Sequence, residues 1–88
     1  MAMNGADIAQ LRDLAKKFNT DADTLNTLIT ALQSATQSSN GYWTGGKANN
    51  FRSEWSSLKP TFDKFVQTLK DASSAANTNA DNIDRATN

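Results

Sequence analysis

The sequence contains no cysteine and no histidine. Without cysteine, a disulfide framework and a thiolate metal site are both excluded. Without histidine, the commonest general base and metal ligand is missing. Charge of neither sign is in excess: nine Lys and Arg balance nine Asp and Glu. That balance argues against nucleic acid, whose phosphates are bound by clustered basic side chains. Lys16-Lys17 is the only adjacent basic pair, and it reads as a solvated helix face. No apolar run approaches the roughly 20 residues that span a bilayer. The opening "MAMNGADIAQL" has neither a basic start nor a continuous apolar core, so it is no Sec-type signal. The expectation is a cytoplasmic protein, or one exported by a route that uses no cleaved signal.

What remains is one domain of 88 residues. Apolar residues make up 38% and mean hydropathy is -0.62, so the polar surface is carried more by Ser, Thr, Asn and Gln than by charge. A chain this short buries a modest fraction of its surface and is marginally stable alone.

The apolar residues are periodic. Ile8, Leu11, Ala15, Phe18, Ala22, Leu25, Ile29 and Leu32 are separated by alternating steps of three and four. This is a heptad pattern with apolar a and d positions, the mark of a long helix packing at a shallow angle. Leu14, Leu28 and Ala35 widen the stripe at g, whereas Arg12, Asn19, Asn26 and Gln33 make the e flank polar. Ala48, Phe51, Trp55, Leu58, Phe62, Phe65, Leu69, Ala72 and Ala76 repeat the alternation; Asn79 interrupts it and Ile83 resumes it. Val66 and Ala80 add to this second stripe at e, and Ala75 at g.

The spacing predicts helix 1 over about residues 5–39, a turn over about 40–46 and helix 2 over about 47–85. Asn4 is the expected N-cap of helix 1, with Asp7 near its positive end. Asp13 and Lys17 form an i,i+4 pair. "SSNG" supplies stop residues, with Gly41 suited to the left-handed position after a helix. Pro60 conflicts with helix 2, since an interior proline costs about 3 kcal/mol. The heptad phase runs through it without a slip and places it on the outward face. One kinked helix is expected; a break at Lys59 with a third short helix is the alternative. The short connection makes the two helices antiparallel.

The fold class expected is all-α, an antiparallel two-helix hairpin that dimerises into a four-helix bundle. Phe18, Phe51, Trp55, Phe62 and Phe65 are large, and burying such a side chain fully is worth about 1.5–3 kcal/mol. One partner helix cannot cover them together with Leu11, Leu25, Ile29, Leu32, Leu58 and Leu69. A second hairpin, identical or not, completes the burial. The other arrangement, a monomer with a partly exposed groove, is aggregation-prone.

The chemistry-bearing residues are few. Asp21 and Asp23 are two apart and diverge on a helix. Asp81 and Asp84 share a face, but Arg85 is placed to pair with Asp81. No pair of carboxylates in a cleft emerges, and catalysis, cofactors and metals are not expected. "TGGK" lacks the spacing of a phosphate-binding loop and no strand precedes it. Three glycines (Gly41, Gly45 and Gly46) and the tryptophans Trp43 and Trp55 fall within "SSNGYWTGGKANNFRSEW". Thr44 is a plausible N-cap for helix 2, and adjacent Gly45 and Gly46 suggest close backbone approach.

At these residues the sequence resembles the WXG-motif family, the early-secreted-antigen-like helical hairpins of bacterial type VII secretion. Trp43-Thr44-Gly45 in the turn carries the resemblance, with Ala48, Phe51 and Trp55 behind it. The resemblance implies a non-enzymatic protein, exported folded and without a cleaved signal peptide, as a homodimer or heterodimer. It implies recognition by an FtsK/SpoIIIE-type secretion ATPase through the Trp-x-Gly turn of one subunit beside the C-terminal tail of its partner. That tail often carries Tyr-x-x-x-Asp/Glu. Here "NTNADNIDRATN" contains no tyrosine, which tilts the expectation toward a partner that supplies the tail. A cytosolic adaptor for a larger effector and a purely structural coiled-coil module are the other readings.

Overall fold

The computed structural model describes residues 5–87. Helix α1 spans Gly5–Ser38, a single 3-10 turn spans Ser39–Gly41, and helix α2 spans Gly46–Thr87. The two long helices fold back on each other as a hairpin measuring 64 × 16 × 14 Å. The long dimension is that of α2 itself, since its 42 residues rise about 63 Å at 1.5 Å each. Asn4, the expected cap of the first helix, lies outside the described residues. α2 runs through Pro60 as one helix, and Pro60 is exposed on the side away from α1.

The seam between the helices is narrower and smaller than an a/d stripe. On α1, the buried apolar residues are Ile8, Ala15, Ala22 and Ile29, seven apart, with Thr36 continuing the row. On α2, Ala48, Trp55 and Ala76 are buried in one row, and Ser73 and Ala80 in the adjacent one. In heptad terms both helices meet through a and e. Ala15, Ala22, Ala48 and Ala80 are completely buried. Alanine at these points lets the backbones approach closely, which suits the shallow packing angle of heptad helices.

The d positions divide. Leu11, Phe18 and Leu25 are half-buried, as are Phe62 and Leu69 at a of α2. Leu32, Phe51, Leu58 and Phe65, expected in packing as d residues, are 49%, 43%, 47% and 52% exposed on the hairpin. Leu14 and Leu28 at g are exposed with them. The reason is geometric: a helix that turns its a/e side to one neighbour turns its d/g side away from it.

Cross-helix polar contacts hold the register. Arg12 Nη1 meets Asp81 Oδ1 at 2.8 Å. The buried Ser73 hydroxyl donates to the Ala15 carbonyl at 2.6 Å. Lys70 Nζ donates to Asn19 Oδ1 at 3.1 Å and to Asp23 Oδ1 at 2.6 Å. The Trp55 indole N–H donates to Gln33 Oε1. The e flank of α1 that looked merely polar is therefore the side that bonds to α2.

Two expected ion pairs rearrange. Asp81 pairs across the seam with Arg12, and Arg85 donates to Asn82 instead. Lys17 pairs with Asp21 at 3.2 Å, not with Asp13. Exposed pairs of this kind contribute about 0–1 kcal/mol, so little energy separates one partner from another.

The seam has no room for larger side chains. Ala22→Leu is expected to destabilise the protein by about 1–3 kcal/mol through overpacking, measured by urea unfolding. An unchanged midpoint would show that the helices are free to separate.

Candidate functional site

The turn at the apex of the hairpin is built around Ser39. α1 ends not on a left-handed glycine but in the 3-10 turn, and Gly41, expected to be left-handed, is not. The Ser39 carbonyl accepts two N–H groups, from Tyr42 at 3.1 Å and from Trp43 at 2.8 Å. This closes the turn on the Ser39 carbonyl without a positive φ, which is why Gly41 need not adopt one. The buried Ser39 hydroxyl donates to the Thr36 carbonyl at 2.6 Å.

Arg52, one turn into α2, reaches back over this structure. Its Nη1 donates to Ser39 Oγ at 3.0 Å and to the Trp43 carbonyl at 3.0 Å. Its Nη2 donates to Asn49 Oδ1 at 3.2 Å. The backbone of Trp43 is thus held at both ends, its N–H by Ser39 and its carbonyl by Arg52.

Gly45 then redirects the chain with φ 103. Its carbonyl accepts the Asn49 N–H at 3.0 Å, so Gly45 occupies the capping position before α2. Thr44, expected in that role, stands one residue too early. The close backbone approach expected at Gly45 and Gly46 is absent: a Cβ at either position meets nothing within 4 Å. Gly45 is needed for its dihedral, while neither space nor dihedral demands Gly46.

With its backbone held, Trp43 presents its side chain. Trp43 is 41% exposed and its ring lies 5.8 Å from that of Phe51, tilted by 45°. Tyr42 beside it is 78% exposed. Thr44 and Gly45 are exposed too, so all of Trp43-Thr44-Gly45 lies at the surface of the apex. Phe51 also begins the exposed apolar row of α2 that continues through Leu58 and Phe65. Trp55 sits apart from this surface; it is buried in the seam, with its ring 6.0 Å from that of Phe62.

Sequence reasoning overlooked Ser39 and Arg52. The usable signal was an omission: α1 has no basic residue in its last turn. A helix C-terminus favours a nearby cation, and here the other helix brings it. Among the described residues there is no cavity, and no group of three or more His, Cys, Asp or Glu could hold a metal ion. No described helix is long and apolar enough to cross a membrane.

The two glycines are expected to respond oppositely. Gly46→Ala should stabilise by about 0.5–1 kcal/mol, as alanine normally does inside a helix. Gly45→Ala should destabilise by about 1–2 kcal/mol through its positive φ. Thermal unfolding of the two variants checks both signs.

Comparison with known proteins follows the same lines as the geometry. The family model WXG100, described as proteins of 100 residues with WXG, matches residues 5–86. Among solved structures, the hairpin is similar to Geobacillus thermodenitrificans EsxA, crystal form I. The TM-score is 0.85 and the sequence identity 21%, over 91% of this chain and 87% of that one. At that identity the likeness is one of fold. No curated protein matches the sequence.

Proposed function

The chain belongs to the WXG100 family of small helical proteins associated with type VII secretion, and from that premise we propose that it is a non-enzymatic protein exported by, or co-secreted through, a type VII system as a folded dimer. The observation that carries the reading is the apex: a Trp-Thr-Gly turn whose backbone is bonded and whose indole is left partly exposed. Such a surface offers an aromatic anchor with little conformational entropy left to lose on binding. The proposed partner there is the FtsK/SpoIIIE-type ATPase of the secretion machinery.

The second partner is another hairpin, a copy of this chain or a related one. Leu14, Leu28, Leu32, Phe51, Leu58 and Phe65 are exposed on the d/g side. Burying the remaining half of each such side chain is worth on the order of 1 kcal/mol apiece. A four-helix bundle achieves this with helix packing of the kind already present in the hairpin.

A second reading uses the same d/g side: an adaptor that pairs its exposed apolar residues with the helical region of a larger effector.

Culture fractionation with and without the secretion ATPase tests the main reading. The protein is expected outside the cell only when the ATPase is present; confinement to the cytoplasm in both strains overturns export. Trp43→Ala is expected to lose export while helicity is retained. Unfolding of that variant would make the residue mainly structural.

Leu58→Asp places a charge on the apolar side that the second hairpin would cover. It is expected to weaken the dimer about 10-fold or more, because burying an unpaired carboxylate is costly. Light scattering over a dilution series measures this. An equally well-folded monomer for the unsubstituted protein at micromolar concentration overturns the dimer.

A further inference from the structure

Arg52 lies at the apex, and its surroundings are unusual for an arginine on a heptad helix. Among the described residues it pairs with no carboxylate; the four ion pairs are made by Arg12, Lys17, Lys59 and Lys70. Its guanidinium is instead spent on three neutral oxygens: Ser39 Oγ, the Trp43 carbonyl and Asn49 Oδ1. These come from the 3-10 turn that follows α1, from the connection after it and from the first turn of α2. One planar group therefore adds side-chain bonds to three segments that backbone hydrogen bonds already join in sequence. A fork of fixed donors can do this, whereas the single ammonium of lysine has no such geometry.

The location adds a second contribution. Helix α1 ends with no basic residue in its last turn. Its terminal carbonyls carry the negative end of the helix dipole. Arg52 lies against that end, through a serine whose hydroxyl is already bonded to the Thr36 carbonyl. It is a cation delivered from the neighbouring helix to the negative end of α1.

The consequence falls on Trp43. Its N–H is fixed to the Ser39 carbonyl and its carbonyl to Arg52, so rotation of either flanking peptide breaks a hydrogen bond. Fixing both peptides fixes the Cα–Cβ direction, and so the path along which the indole leaves the surface. The Phe51 ring, one residue before Arg52, supports the indole from the side. Ring and guanidinium thus leave consecutive positions of α2 and hold the side chain and the backbone of the same tryptophan.

We propose that Arg52 is the positioning residue of the Trp43 surface: by reaching from α2 to Ser39 just past the end of α1 and holding the Trp43 carbonyl, it keeps the indole in the orientation that a binding partner reads. This rests on the proposal that the Trp43 turn is a recognition surface. The hairpin itself does not depend on it, because the alanine seam and the other cross-helix contacts lie along the rest of its length.

The test combines a measurement on the free protein with one on recognition. In Arg52→Ala, amide hydrogen exchange at Tyr42 and Trp43 is expected to rise about 10-fold, with amides around Phe62 in mid-α2 unchanged, since local opening is separate from global unfolding. Arg52→Lys, which keeps the charge but loses the fork, is expected to fall between Arg52→Ala and the unsubstituted protein. Binding to the cognate secretion ATPase is expected to weaken about 10-fold in Arg52→Ala, and to change no further when Arg52→Ala is added to Trp43→Ala.

Unchanged exchange at Tyr42 and Trp43 overturns the positioning role whatever the binding result. Raised exchange with full ATPase affinity also overturns it, if Trp43→Ala alone weakens binding. Should Trp43→Ala bind as well as the unsubstituted protein, the recognition reading fails instead. Equal losses from Arg52→Ala in the presence and absence of Trp43 would show that arginine contacts the partner itself, again against the proposal.

Discussion

The close approach of two backbones at alanine governs this structure. Where Ala15, Ala22, Ala48 and Ala80 are completely buried, the helices meet without bulk between them. A seam of such small side chains removes little apolar surface from water, so it provides fit more than energy. The larger apolar residues are then left on the other side of each helix, at Leu28, Leu32, Leu58 and Phe65. Polar groups can work inside the closely packed seam because the backbones are within their reach. The short Ser73 hydroxyl touches the Ala15 carbonyl of the opposite helix directly. A Leu-filled seam would hold that carbonyl beyond a serine.

The same closeness determines the apex. Register set by Arg12–Asp81, Lys70–Asp23 and Trp55–Gln33 carries along the hairpin and brings Arg52 level with Ser39. The turn is then closed by hydrogen bonds from both helices rather than by a chain of special dihedrals. Gly45 is the only described residue with a positive φ in the whole connection. Rigid backbone and exposed indole follow from that division: bonds absorb the turn, and the tryptophan is excused from packing into the seam. Trp55, placed a few residues later on the a row, goes inward and spends its N–H on Gln33.

Much of the hairpin was legible in the heptads. Steps of three and four run through Pro60 without a slip, and the phase that places it outward agrees with its exposure. The Trp-Thr-Gly turn between two heptad helices carried the family resemblance, which the match over residues 5–86 establishes. The seam was less legible. Apolar periodicity says which residues avoid water, but it does not say which of two neighbours covers each one. Leu58 and Phe65 therefore looked equivalent to Trp55. Arg12, Asn19 and Gln33 read only as a polar flank, because a polar residue that bonds across a seam and one that bonds to water are the same letter. Arg52 was overlooked for a related reason: a cation's partners here are neutral oxygens brought near by folding, and charge patterning registers only carboxylates.

The cross-helix contacts also have an order in space. Both ends of the described chain, Gly5 and Thr87, lie at the open end of the hairpin, and the turn closes the other. A pull applied between those ends would load the contacts in series, like teeth of a zipper. Arg12–Asp81 comes first, then Ser73 on Ala15, then Lys70, then Trp55 with Gln33, and last Arg52 on Ser39. In that geometry the force needed is that of one rung at a time, not of their sum. The hairpin that holds its register firmly at rest is, along this axis, mechanically compliant, and the tryptophan turn is the last part to be disturbed.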